Sequence, residues 1–333
     1  MQNNILITGG AGFIGYHLVK LFLNKYKNYK IFNLDSLTYA ANISSISNFD
    51  NFKNYTFIKE DICDFKSVSS IFRNNNITHV LHLAAESHVD RSINDPFSFA
   101  NTNVMGTLNL LQAAKDQWKN DFKNKLFYHI STDEVFGSLD SVSDKLFLET
   151  NRYNPNSPYA ASKAASDHFV KAFGVTYGLP IIISNCSNNY GPYQFTEKII
   201  PLMINNIKHK IKLPIYGEGK NIRDWLYVED HVKAIDIIFH NGKLNESYNI
   251  GGSNEITNIN LVNKIIEITD RLLGRPTGSS KKLIEFVDDR MGHDFRYGIN
   301  FLKLKNELGW EPMQNFQEGL EKTIKWYINK ENI

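Results

Sequence analysis

Eight residues near the start of the chain, Thr8–Gly15 (TGGAGFIG), limit the fold more than any other stretch. Gly9, Gly12 and Gly15 stand three apart. They directly follow Asn4–Thr8, an apolar run that reads as a buried strand. They head Phe13–Tyr26, where apolar positions 13, 14, 18, 21 and 22 keep a helical spacing. Glycines in that place allow a tight turn and close backbone approach, while the helix N-terminus offers free N–H groups and a positive dipole end to a diphosphate.

The same rhythm continues for half the chain. Lys30–Leu34, Tyr55–Ile58, His79–Leu83, Leu126–Ile130 and Leu179–Ser184 read as strands. Phe99–Trp118 and Tyr159–Tyr177 carry helical periods, the second introduced by Pro158, where a helix start tolerates proline. This alternation predicts an α/β fold, a Rossmann-type doubly wound parallel sheet with helices on both faces. After Asn185 the rhythm breaks into NCSNNYGPYQ. The expected division is therefore a dinucleotide-binding domain over 1–185 and a smaller mixed α/β substrate domain over 186–333. A strand near 248–252 (YNIGG) is expected to return to the main sheet. Leu308–Trp310 and Ile324–Ile328 are expected in the core. A chain of 333 residues is long enough for both parts.

Composition narrows the partners. With 37 basic against 35 acidic residues, the net charge of +2 gives no electrostatic reason to expect nucleic acid or an anionic membrane surface. Only two cysteines occur, Cys63 and Cys186, which excludes a disulfide framework and favours a reducing compartment. The opening residues lack a signal-peptide layout, and no apolar run nears the roughly 20 residues of a membrane helix. A cytoplasmic protein is the expectation. The ten histidines lack metal-ligand spacing, so no metal is expected, and His79 and His82 are placed in a strand where packing explains them.

Asp35 ends the second strand, 20 residues beyond Gly15, where a carboxylate accepts from an adenosine ribose. Its charge would repel a 2′-phosphate, which favours NAD over NADP. Asp61 and Ile62 follow the third strand, near where an adenine edge would lie.

Two patterns suggest catalysis. A tyrosine with a lysine four residues on shares a helix face with it, and an ammonium beside a phenol favours the phenolate. Tyr26/Lys30, Tyr55/Lys59 and Tyr216/Lys220 match as well as Tyr159/Lys163. Only the last opens a long helix after a strand with polar residues at its C-terminal edge, where open α/β sheets bind ligands. That strand runs into Ser131-Thr132-Asp133-Glu134. Two close carboxylates resist joint ionisation, so one keeps a proton while the other is a base, a combination suited to eliminating water next to a carbonyl. A plain acidic turn reads equally well without context. Arg223 fits either a diphosphate contact or an Arg–Asp structural pair, and Arg290 with His293 a second anion contact.

TGGAGFIG, LAAESHVDRSI (83–93), STDEVFG (131–137), YAASK (159–163), NCSNNYGPYQ (185–194), LPIYGEGKNIRDWLYVEDH (213–231) and DRMGHD (289–294) follow in order. Together they closely resemble the nucleotide-sugar 4,6-dehydratases of the extended short-chain dehydrogenase/reductase group, over nearly the whole chain. The resemblance implies an NAD-dependent, redox-neutral dehydration of dTDP-glucose or UDP-glucose by a homodimer, with rhamnose or another deoxysugar downstream. It implies Tyr159, supported by Lys163, as base at the sugar 4-hydroxyl, and Thr132 beside the 4-oxygen. Glu134 would be the base at C5, and protonated Asp133 the acid at the C6 hydroxyl. Phe13, Ile14, Asp35, Asp61, Ile62, Leu83, Ala84, Ala85, Thr102 and Asn189 would line the cofactor with the glycines. Ser87, Asn188, Lys198, Ile199, Pro214, Ile215, Tyr216, Arg223, Asn258, Arg290 and His293 would hold the nucleotide sugar. Phe136, Thr196 and Met291 depart from the family pattern. A 4-epimerase or decarboxylase of the same group has no use for an acid–base pair after Thr132. A silent NAD-binding regulator would typically lose the tyrosine or lysine.

Overall fold

A computed structural model describes residues 3–119, 121–140 and 145–330. Seven strands form the main sheet: β1 (Asn4–Thr8), β2 (Lys30–Asp35), β3 (Tyr55–Lys59), β4 (His79–His82), β5 (Leu126–Thr132), β6 (Ile181–Cys186) and β10 (Ser247–Ile250). Their order is β3-β2-β1-β4-β5-β6-β10, and every pairing is parallel. The order reverses between β1 and β4, and the crevice at the carboxyl ends of strands beside such a switch point is where this sheet type receives ligands. Thr8 lies opposite His82 there, its hydroxyl 2.8 Å from the His82 ring.

The central strands β1, β4, β5 and β6 are buried on both faces and do not alternate, whereas the edge strand β3 is only partly covered. Ile5 and Ile7 face one layer with helix α1 (Phe13–Lys25) and, after β9, helix α6 (Val228–Asn241). Leu6, Val80 and Phe127 face the other, with α2 (Phe65–Asn75), α3 (Thr107–Trp118) and α4 (Pro158–Tyr177). Ser157 caps α4, its hydroxyl accepting from Ala160 N at 3.1 Å, and Pro158 occupies the first turn.

A second core lies under α5 (Ile199–His209), α7 (Asn258–Leu272) and α8 (Phe316–Asn329). Its strands form two small sheets: β11 (Glu255–Thr257), β9 (Ile222–Tyr227) and β7 (Asn188–Tyr190) in one, β12 (Ile284–Val287) and β8 (Leu213–Tyr216) in the other. Trp310 packs in the main core and Ile324 in the second.

Some boundaries differ from expectation. The helix expected over Phe99–Trp118 is interrupted: residues 100–106 are wound as a π-helix before α3 begins. Asn103 explains the wider turn, because its amide donates to Glu86 O and Ser162 Oγ instead of lying along the helix surface. Strand β5 runs to Thr132, two residues beyond the expected end, because β6 pairs with it as far as Cys186. No helix among the described residues is long and apolar enough to cross a membrane.

Candidate active site

The turn after β1 is built by its glycines. Gly9 takes φ +73°, and a Cβ there would stand 2.8 Å from the backbone of Ala84. A Cβ on Gly15 would strike Gly9 O and lie 2.7 Å from Gly10 Cα, which is how α1 packs so tightly on the turn. Gly12 differs. Its φ of −79° suits any residue, and a Cβ there would meet only Gly9 O, at 3.3 Å. Nothing in the chain needs that position empty, so the missing side chain leaves a cradle at the uncapped N-terminus of α1. Asp35 accepts from Ala11 N at 2.9 Å and Leu37 N at 2.8 Å, which fixes its carboxylate beside the turn. Burial pushes its pKa up while these two amides pull it down.

A cleft of about 390 Å³ runs from this turn to the end of β5. Gly9, Gly12, Phe13, Ile14, Gly15, Asp35, Asp61, Ile62, Leu83, Ala84, Ala85, Thr102 and Asn189 all line it, as do Thr132, Asp133, Glu134, Tyr159 and Lys163. Cradle, strand-end acid and elongated shape fit a dinucleotide.

At the inner end, β5 stops at Thr132 and the chain turns into a short 3₁₀ segment, Asp133–Phe136. The Thr132 hydroxyl accepts from Glu134 N at 3.3 Å, a local cap that places the two acids in one turn. Asp133 is 1% exposed, and one of its oxygens has no hydrogen-bond partner. Burial first, then the charges of Glu134 and Asp224, hold its pKa well above the carboxylate range. Burial raises Glu134 too, but the charges of Arg223, Lys198 and Arg290 oppose the rise. The two environments therefore differ: no cation but Arg223 relieves Asp133, whereas three cations hold back the rise at Glu134.

Tyr159 opens α4 and lines the cleft together with Thr132. Burial lifts the phenol pKa well above 10, with Glu134 adding to the rise and Thr132 opposing it. Lys163 is 4% exposed and donates to Ile130 O at 2.9 Å. Burial lowers its pKa.

The other Tyr/Lys pairs lie elsewhere. Tyr26 OH donates to Asp236, Tyr55 OH accepts from Asn33, and Lys220 pairs with Glu218.

Of the residues expected at a nucleotide sugar, Ser87, Asn188, Lys198 and Ile199 line the cleft. Tyr216, Arg290 and His293 gather just beyond it: Tyr216 OH donates to Asp90 at 3.2 Å, Arg290 reaches the same carboxylate at 3.4 Å, and His293 lies edge-on to Tyr216. Asn258 begins α7 beside Asn221. Ile215 is buried in the second core, so beside Pro214 on β8 only its backbone is available to a ligand. Of the two expectations for Arg223, the Arg–Asp side-chain pair is not formed among the described residues. Its guanidinium donates to the backbone oxygens of Ile222, Asp294 and Phe295 and stacks 4.3 Å over Tyr297, because β9 runs against that loop. Its charge still acts on Glu134.

Sequence reasoning passed over Gly10, where a Cβ would collide with the Asn33 amide, 2.6 Å from its Cγ. It also passed over Tyr39, which donates to Glu197 at 3.0 Å across the cleft mouth and carries Arg91 stacked at 3.6 Å. An aromatic residue in the polar loop after Asp35 was the available signal.

The profile of the GDP-mannose 4,6 dehydratase family matches residues 6–323. The chain belongs to the nucleotide-sugar 4,6-dehydratase family. Among curated relatives, the dTDP-glucose 4,6-dehydratase of Salmonella typhimurium is 48% identical over 338 residues, covering 97% of this chain and 92% of that protein. That of Haemophilus influenzae is 48% identical, with 98% of both chains covered. A dTDP-glucose 4,6-dehydratase from Bacillus anthracis, crystallised in complex with NAD, superposes with a TM-score of 0.86 at 43% identity, covering 99% of this chain and 97% of that one.

Proposed function

We propose that the protein is an NAD-dependent dTDP-glucose 4,6-dehydratase, a hydro-lyase that forms the 4-keto-6-deoxy sugar nucleotide and water. The observation that carries this reading is the Asp133–Glu134 pair beside Thr132 and Tyr159. An epimerase needs the phenol and the dinucleotide but no second acid and base. Residues 1–185 with β10 form the NAD half, and 186–333 bring the nucleotide-sugar contacts.

The Gly12 cradle and Asp35 would hold NAD, which would supply a hydride acceptor for C4 of the sugar and the donor that closes the redox balance at C6. Tyr159 takes the proton of the 4-hydroxyl, and the Lys163 ammonium favours the phenolate that must do so. Thr132 hydrogen-bonds the 4-oxygen. The resulting 4-keto group acidifies the C5 hydrogen, which Glu134 removes as a proton. Asp133, kept neutral by burial, gives its proton to the C6 oxygen, and water departs with the C–O electron pair. The C5=C6 bond so formed would receive the hydride back at C6, and Glu134, protonated in the elimination, would return a proton to C5. Lys198, Arg290 and Arg223 set the positive field that keeps Glu134 a base. Tyr216, His293 and Asn258 stand on the nucleotide side.

Likeness to the dTDP-glucose 4,6-dehydratases favours dTDP-glucose over UDP-glucose, which differs by one base methyl, worth about 1–3 kcal/mol, and by a ribose 2′-hydroxyl. Phe97 and Met105 are 84% and 50% exposed on the helical segment beside α4, an apolar face suited to a second copy in a homodimer. Both cysteines are free, in keeping with a cytoplasmic location. Mass spectrometry after incubation with NAD and either sugar nucleotide tests the reading. Loss of one water from dTDP-glucose, faster than from UDP-glucose, is the expected result; an unchanged composition for both overturns it.

A further inference from the structure

Behind the catalytic pair lies a buried acid that the mechanism above does not use. Asp167 is four residues after Lys163 and eight after Tyr159, on one face of α4, and is 0% exposed. One carboxylate oxygen accepts from Ser131 Oγ and Tyr153 OH, both at 2.9 Å, and from Asn185 Nδ2 at 3.4 Å. The other accepts no hydrogen bond. His129 Nε2 stands 3.1 Å from that oxygen and 3.4 Å from Lys163 Nζ, so a single imidazole separates the carboxylate from the ammonium. Four polar side chains thus converge under the helix from β5, β6 and the loop before α4, in a region closed to solvent.

A buried ammonium is costly without a counter-charge. The groups around Lys163 are His129 on β5, His82 on β4, Cys186 on β6, and Tyr159 and Asp167 on α4. The imidazoles are held neutral by burial, and burial raises the Cys186 thiol to about 12. Asp167 is the anion left: burial opposes its charge, but the neighbouring His129 ring, the Lys163 ammonium and the Ser131 hydroxyl hold its carboxylate below the usual range. We propose that Asp167 is a positioning residue for the Tyr159–Lys163 pair, its carboxylate serving as the counter-charge that keeps the Lys163 ammonium in place and protonated within the closed site. This rests on the dehydratase reading in assigning Tyr159 as the base, but the pairing of Asp167 with Lys163 does not.

Asp167→Asn preserves size and removes the charge. Without it Lys163 loses its proton at lower pH, because an opposite charge close by moves a pKa by about 1–3 units. The high-pH limb of kcat for dTDP-glucose should therefore move at least one unit towards acid. The low-pH limb should stay, since it follows the ionisation of Glu134, whose shift comes from burial, Arg223, Lys198, Arg290 and Asp294 and not from Asp167. KM should change less than about twofold, since Asp167 stands behind Ser131 and Lys163 and does not itself line the cleft. Thermal midpoints with saturating NAD, for wild type, D167N, K163M and D167N/K163M, form the second arm. Charge pairing predicts that the double variant melts above D167N, or folds where D167N does not. Unmoved limbs, or midpoint losses that simply add, overturn the proposal. Failure of the wild type to dehydrate either sugar would sink the dehydratase reading alone, leaving the melting cycle to decide the pairing.

Discussion

Two glycines three residues apart in the same turn should respond differently to one added methyl group. In Gly12→Ala the new Cβ meets only Gly9 O at 3.3 Å, and φ −79°, ψ 177° is ordinary extended backbone. The contact is tight but single, and the lost unfolded-state freedom of glycine offsets it by about 0.4–1 kcal/mol. Stability should then change by less than about 1 kcal/mol, or roughly 2–4 °C in Tm. In Gly15→Ala the Cβ drives into Gly9 O and sits 2.7 Å from Gly10 Cα and 2.8 Å from Gly9 C, all of it backbone that cannot rotate aside. Overpacking of this kind costs about 1–3 kcal/mol or more. The order inverts for cofactor. The Gly12 methyl would occupy the space left for the pyrophosphate, and a clash of about 1.4–2.8 kcal/mol weakens NAD roughly 10- to 100-fold. Differential scanning calorimetry without NAD and titration calorimetry with NAD read the two effects separately. Wild-type NAD affinity in G12A, or a loss of stability as large as in G15A, would refute the assignment of Gly12 as the cradle.

Glu134→Gln should halt turnover after the first oxidation, so the absorbance of reduced nicotinamide builds up on mixing with dTDP-glucose while product falls by about 10²–10⁴-fold; product at the wild-type rate would contradict the C5 assignment. Tyr159→Phe should suppress both signals, as stopped-flow absorbance and product analysis would show. Because burial raises Glu134 and it must be ionised to act, kcat should fall on the acid side at a higher pH than an exposed glutamate would dictate, measurable in a pH–rate profile. Asp133→Asn should lower kcat by about 10²–10⁴-fold yet raise Tm at neutral pH. A carboxyl with a raised folded pKa contributes its stability at low pH and loses it as pH rises, so this gain should shrink as the solution is acidified.

What could be read from the chain was local. The β1–glycine–α1 unit, Asp35 and the acids after Thr132 each combine spacing with position at a strand end, and the switch-point topology then collects them without further instruction. Arg223 shows the limit: with Asp224 next to it in the chain, nothing in the sequence signals that β9 will press its guanidinium against the 294–295 carbonyls. Asn103 likewise widens its helix through contacts to Glu86 and Ser162, 17 and 59 residues away. Asp167 was hidden differently. Its i+4 spacing from Lys163 was present, but an acid on an amphipathic helix reads as solvated until the opposite face is seen to be exposed and this one buried.

Sugar nucleotide carrying deuterium at C4, turned over in ordinary water and compared with unlabelled sugar in deuterium oxide, tests the central claim most directly. Dehydration by Tyr159, Glu134 and Asp133 with a dinucleotide held throughout predicts that the C4 label reappears at C6 of the same product molecule and that one solvent deuterium enters at C5. A label returned to C4 of an intact, epimerised sugar, or lost to solvent, would contradict it.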